Sequence, residues 1–224
     1  MVNMKDETGY TYDKMELLEA FNDFSNRIEE FLSRSYGDKF SREAVKDMKK
    51  EYETIIPEIP YIGGDENPMT PNLLSSTRYL TVYLVLKRKD LNLDEIGNIS
   101  YSVEDEFFKK HKEFIPPLCH PKAIPMLKIS AENSGKYPGD FVYTFVEGEN
   151  FDLGLDFTEC ALLKFFHKFN ADEFMPYLCA MDIIMSKYGN LGLHRTKTLV
   201  DGDDICEFRY KPGRDTRVVS KVIK

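Results

Sequence analysis

The sequence predicts an α+β fold in one domain of residues 1–224, with N-terminal helices followed by a strand-strand-helix-helix-strand-strand unit on a four-stranded antiparallel sheet. Two observations predict it. Up to about residue 125, apolar residues recur at three- and four-residue steps, the period of a helix with one buried face. Beyond it, stretches of alternating apolar and polar residues flank glycine-containing turns, the pattern of hairpins with one buried face.

From Asp13 onward, Met15, Leu18, Phe21, Phe24, Ile28, Phe31 and Leu32 define an amphipathic helix that stops near Gly37. A second helix is expected from Ser41, with Glu43 favourably placed in its first turn, and Pro57 and Pro60 end it. The four prolines and the Gly63-Gly64 pair of residues 57–71 mark an ordered loop. Residues 72–89 are helical in pattern, with Leu73, Leu80, Leu84 and Leu86 among the core candidates. A small helix is expected in LNLDEIG and a separate one over 103–114, broken by Pro116-Pro117.

The pattern changes after Pro125. GDFVYTFVEG (139–148) reads as a strand, and FDLGLDF returns as a second after the turn at residues 148–150. Thr158 is the expected N-cap of a helix from Glu159 to about Lys168. Another helix runs to Tyr188 and ends at Gly189-Asn190. LGLHRTKTLV and DICEFRYK then form a hairpin about Asp201-Gly202-Asp203.

Composition narrows the function. The net charge is −8, so phosphate backbones repel the surface, and the densest basic run, Lys87-Arg88-Lys89, is followed at once by Asp90. Nucleic acid is therefore a poor partner. No apolar run approaches the roughly 18 residues of a membrane helix, and the start, MVNMKDETGYTY, lacks an apolar export core. A cytoplasmic location is expected. Cys119, Cys160, Cys179 and Cys206 lie far apart without a C-x-x-C pair, so free thiols are expected rather than disulfides. Their spacing, with Cys119-His120 in a proline-rich turn, matches no zinc pattern, so neither a metal nor any other cofactor is expected.

Seven residues carry candidate chemistry. Cys160 falls near a helix start, where free amides and the helix dipole favour a thiolate. Cys179 and Asp182 lie three apart on one helix face in apolar surroundings, and a carboxylate there needs a partner, for which Arg195 is the choice. Cys206 shares a strand face with Phe208 and Tyr210. His194, facing opposite to Arg195 on its strand, is a candidate acid or base, with Asp156 behind it.

Residues 151–211 resemble the L-2-amino-thiazoline-4-carboxylic acid hydrolase family. The resemblance is carried by Asp-Phe-Thr-Glu-Cys (156–160), Pro-Tyr-Leu-Cys-x-x-Asp (176–182), Leu-x-Arg-Thr-x-Thr-Leu (193–199) and Gly-x-x-x-Cys-x-Phe-Arg (202–209). It implies hydrolysis of a C–N bond in a small anionic cyclic amidine or amide. Such chemistry needs a nucleophile, a group for the cationic nitrogen, a proton shuttle and a cation for the carboxylate. Cys160 or Cys179 would attack, Asp182 would hold the amidinium, Arg195 the carboxylate, and Cys206 would line the pocket, with His194 and Asp156 as further substrate contacts. Two alternatives stand beside the enzyme: a small-molecule sensor or carrier with a cysteine-lined pocket, and an assembly protein dimerising through its apolar N-terminal helices.

Overall fold

A computed structural model describes residues 12–222. The segment MVNMKDETGYTY, expected to hold no export core, lies almost wholly in residues 1–11, outside the described part.

Helix α1 (Lys14–Tyr36) is capped by Asp13, whose carboxylate accepts from the Met15 and Glu16 amides. Gly37, at φ +84°, turns the chain directly into α2 (Asp38–Ile55). That helix begins three residues before the expected Ser41, whose hydroxyl instead bonds back to the Asp38 carbonyl inside the first turn. After the proline-rich loop come α3 (Thr70–Arg88) and α4 (Leu93–Lys110).

Helix α4 replaces two expected helices with one. Asn92 and Glu95 form a reciprocal capping box that starts it early. Gly97 does not interrupt it, because the Tyr177 ring occupies the space of a side chain there: a Cβ would come 2.0 Å from a ring carbon. A further helix, α5 (Ala123–Glu132), falls where no element was expected. Its Pro125 sits in the first turn, where the missing amide costs no helical hydrogen bond.

The sheet is where the expectation needs most correction. Strands β1 (Val142–Val146) and β2 (Leu153–Glu159) form an antiparallel hairpin. Helices α6 (Ala161–Lys168) and α7 (Met175–Tyr188) follow, then β3 (Leu193–Arg195), β4 (Cys206–Tyr210) and β5 (Arg217–Val218). The order is β1-β2-β4-β3-β5, so the sheet has five strands and is mixed, since β5 runs parallel to β3. Two paired residues carry no readable alternation. The chain is instead brought back by Arg214, whose guanidinium donates to the Gly192 and Arg209 carbonyls at 2.8 and 2.6 Å.

β3 is also shorter than LGLHRTKTLV suggested. After Arg195 the chain leaves the sheet and makes a single 3-10 turn, Leu199–Asp201, capped by the Thr198 hydroxyl. Similarly, β2 extends through Thr158, so Cys160 rather than Thr158 is the N-cap position of α6.

One continuous hydrophobic cluster runs from Tyr12 to Tyr210. Within it α4 packs on α7 and α3 on α6, joining the N-terminal helices to those beside the sheet. The inner sheet face carries Tyr143, Phe157 and Phe208 as a row of ring contacts across β1, β2 and β4, with centroids 4.6 and 5.4 Å apart. Among the described residues no helix is long and apolar enough to cross a membrane.

Candidate functional site

The site forms where α7, the start of α6 and the inner faces of β3 and β4 meet. Alternation along β3 sends Leu193 and Arg195 inward and His194 outward. Arg195 is 2% exposed. Its guanidinium donates from Nη1 to Asp182 Oδ2 at 2.5 Å and from Nη2 to the Cys179 carbonyl at 2.8 Å. It also lies over the Phe208 ring, 5.1 Å from the centroid, at the end of the aromatic row. Its Nε is buried without a hydrogen-bond partner.

Asp182 keeps 34% of its side-chain surface accessible. The protein around it nonetheless raises its pKa, by desolvation first, with the Arg195 charge and hydrogen bond opposing. Asp182 in turn helps keep the buried guanidinium charged: Arg195 stays above its ordinary value although burial pulls the other way.

Three thiols surround this pair. Cys179 precedes Asp182 by three residues on the same helix face. Cys206 opens β4 and accepts a hydrogen bond from the Leu199 amide at 3.2 Å. Cys160 closes the turn between β2 and α6. Cys160 and Cys206 both act electrostatically on Cys179, and Asp182 acts on all three. Cys119 has Asp152 and Tyr210 as electrostatic neighbours, and Tyr210 in turn has Asp182 and Arg195.

Burial decides the protonation of these thiols. Desolvation pushes Cys160 up to about 11, Cys179 well above its ordinary value, and Cys206 up as well. The Leu163 and Leu162 amides at the start of α6 do pull Cys160 down, and Arg195 pulls on Cys179 and Cys206, but burial outweighs both. The thiolate expected at Cys160 from its helix start is therefore reversed: at neutral pH the thiols carry their protons.

Two expected contacts lie elsewhere. His194 is on the outer sheet face, where its Nε2–H donates to the Asp215 carbonyl at 3.1 Å, and burial lowers its pKa. Asp156 also faces outward and pairs with Arg209 at 2.7 Å. The sheet separates both from the thiols, because each occupies the opposite alternation register to Arg195 or Phe157.

Sequence reasoning missed the wall on the other side of Arg195. A cavity of about 10 Å³ is lined by Cys179, Arg195, Thr198, Asp201, Val219 and Lys221, among others. It has room for about one water molecule. In the sequence Asp201 reads only as part of a turn, and nothing marks Lys221. Among the described residues no group of three or more His, Cys, Asp or Glu side chains is placed to hold a metal ion.

This fold and site define an α+β protein with a small crevice lined by Cys179 and by a buried arginine that pairs with Asp182. The chain belongs to the L-2-amino-thiazoline-4-carboxylic acid hydrolase family, whose model matches residues 92–210, from the cap of α4 to the end of β4. No curated protein and no solved structure matches it.

Proposed function

We propose that this chain hydrolyses a small anionic cyclic amidine or amide of the aminothiazoline-carboxylate type, opening the ring at its C–N bond with help from the thiol of Cys160 or Cys179. The observation that carries this reading is the Arg195–Asp182 pair set among three thiols. An aminothiazoline carboxylate bears an amidinium and a carboxylate on one small ring, so each end is the counter-ion of one member of the pair. Binding exchanges one internal ion pair for two and leaves neither protein charge uncompensated.

The raised thiol pKa values are consistent with such a role. A cationic amidinium entering beside a protonated thiol lowers its pKa, so the nucleophile forms when substrate is present. The sulfur bonds to the amidine carbon while the ring C–N bond breaks, and the ring nitrogen takes the thiol proton. Water then adds to the same carbon, and the sulfur leaves with a proton, releasing a ring-opened S-carbamoyl amino acid. One water is consumed and the thiol is regenerated. Direct attack by a water held at Asp182 uses the same binding groups without the covalent intermediate. A carrier function is the second reading, favoured by the protonated thiols.

The test is a panel of thiazoline, hydantoin and related ring substrates offered to wild type, Cys160→Ala, Cys179→Ala and Asp182→Asn. Turnover should appear as products heavier by one water, and Asp182→Asn should lower kcat by about 10²-fold, the scale of losing one preorganised electrostatic contact. Turnover that survives both cysteine changes removes covalent thiol catalysis. Tight binding with no turnover of any ring supports the carrier.

A further inference from the structure

The crevice beside Arg195 is bordered by the last described segment of the chain. Residues 217–222 border it as a strap: Val219, Ser220 and Lys221 line the cavity together with Cys179, Arg195, Thr198 and Asp201. The space left, about 10 Å³, is far below the roughly 300 Å³ or more of a small-molecule site. No amidine ring fits while the strap is down.

The strap is held by short pairing, by partly buried Val218 and Val222 packed on the core, and by one exposed ion pair. β5 contributes two residues of parallel pairing to β3, and the Val219 amide donates to the Arg195 carbonyl at 3.0 Å. Lys221 Nζ meets Asp201 Oδ1 at 2.8 Å with its side chain 67% exposed. Val219 is 57% exposed, so it contributes little apolar burial. The walls beneath, on α7, β3 and the turn after it, lie within the family-matched residues 92–210, whereas the strap lies beyond them. Under it, the buried Arg195 Nε lacks a hydrogen-bond partner.

We propose that residues 217–222 are a gate that determines which ligands reach Arg195 and Cys179, latched by the Lys221–Asp201 ion pair. The proposal rests on the crevice itself and not on the reaction assigned to it. A gate latched by an exposed ion pair opens more readily as salt screens the pair or as either partner loses its charge.

The test reads the alkylation rate of Cys179 by peptide mass mapping, with a small reagent (iodoacetamide) and a bulky maleimide. It compares wild type, Lys221→Gln, Asp201→Asn and a chain ended after residue 216. Labelling of Cys179 should rise in both latch variants by up to about fivefold, the span of an exposed ion pair, and more for the bulky reagent. In wild type the rate should climb with ionic strength, and in Lys221→Gln that dependence should vanish, while Cys119 stays unchanged throughout. Equal Cys179 rates in wild type, both latch variants and the shortened chain would overturn the gate. If the shortened chain fails to fold, a salt-independent wild-type rate overturns it alone. Because no turnover is measured, failure of the gate and failure of the hydrolase reading remain separate results.

Discussion

At Cys160 two physical effects oppose each other on one sulfur. The first amides of α6 favour the thiolate, and removal from water favours the thiol. Burial wins, and the nearby Cys206 and Asp182 push the same way. The rate of Cys160 alkylation should therefore rise with pH along a titration centred at about 11, above the ordinary 9.0. The sign for stability follows from the same shift. Between 9.0 and about 11 the folded thiol holds a proton that the unfolded chain has lost, so stability is full below 9.0 and falls across that window. Melting temperatures from pH 7 upward should show this fall, and Cys160→Ser should make it shallower. A Cys160 that alkylates fully at pH 8 would contradict the picture.

At the scale of elements, α4 helps position the site through α7. Its Gly97 lets the Tyr177 ring pack against the helix backbone, and Tyr177 in turn hydrogen-bonds Asp94 on the same helix. Tyr177 lies on α7, the helix that carries Cys179 and Asp182. Replacing a helical glycine by alanine ordinarily stabilises by about 1 kcal/mol. Here the added methyl collides with the ring, and overpacking of this kind costs about 1–3 kcal/mol. Gly97→Ala should thus lower stability in denaturant titrations, and a stabilised variant would show that Tyr177 yields freely. The thiols of α7 should also label faster as that helix loosens.

Across the whole molecule, the N-terminal helices and the sheet part share one continuous core through the α3–α6 and α4–α7 contacts. The surface bridge from Lys87 to Glu173 crosses the same boundary at 2.6 Å but contributes little, being half exposed at both ends. Shared apolar burial should make the two parts unfold together. The chain has no tryptophan, so the measurement is far-UV circular dichroism for helix against tyrosine fluorescence for packing. Coincident transitions are expected. Two separated midpoints would divide the chain near residue 125.

Much of this molecule follows from sequence alone, because local periodicity is set by covalent geometry and by which face meets water. The stripe through Phe21, Phe24 and Ile28, the alternation of Leu153, Leu155 and Phe157, and the apolar surroundings of Asp182 were readable without coordinates. The motifs at 156–160 and 176–182 likewise indicated the family. Tertiary structure decided what depends on neighbours distant in the chain. Gly97 looks like a helix breaker until Tyr177, 80 residues away, fills its space. β5 is too short to carry a pattern and exists because Arg214 ties the returning chain to Gly192. His194 and Asp156 have the chemistry of a site and lie across the sheet from it, since the side a strand residue faces matters only once the helices have chosen theirs. The thiols bear the same lesson: their residue type was legible, but their protonation is a property of burial, which only the packed molecule determines.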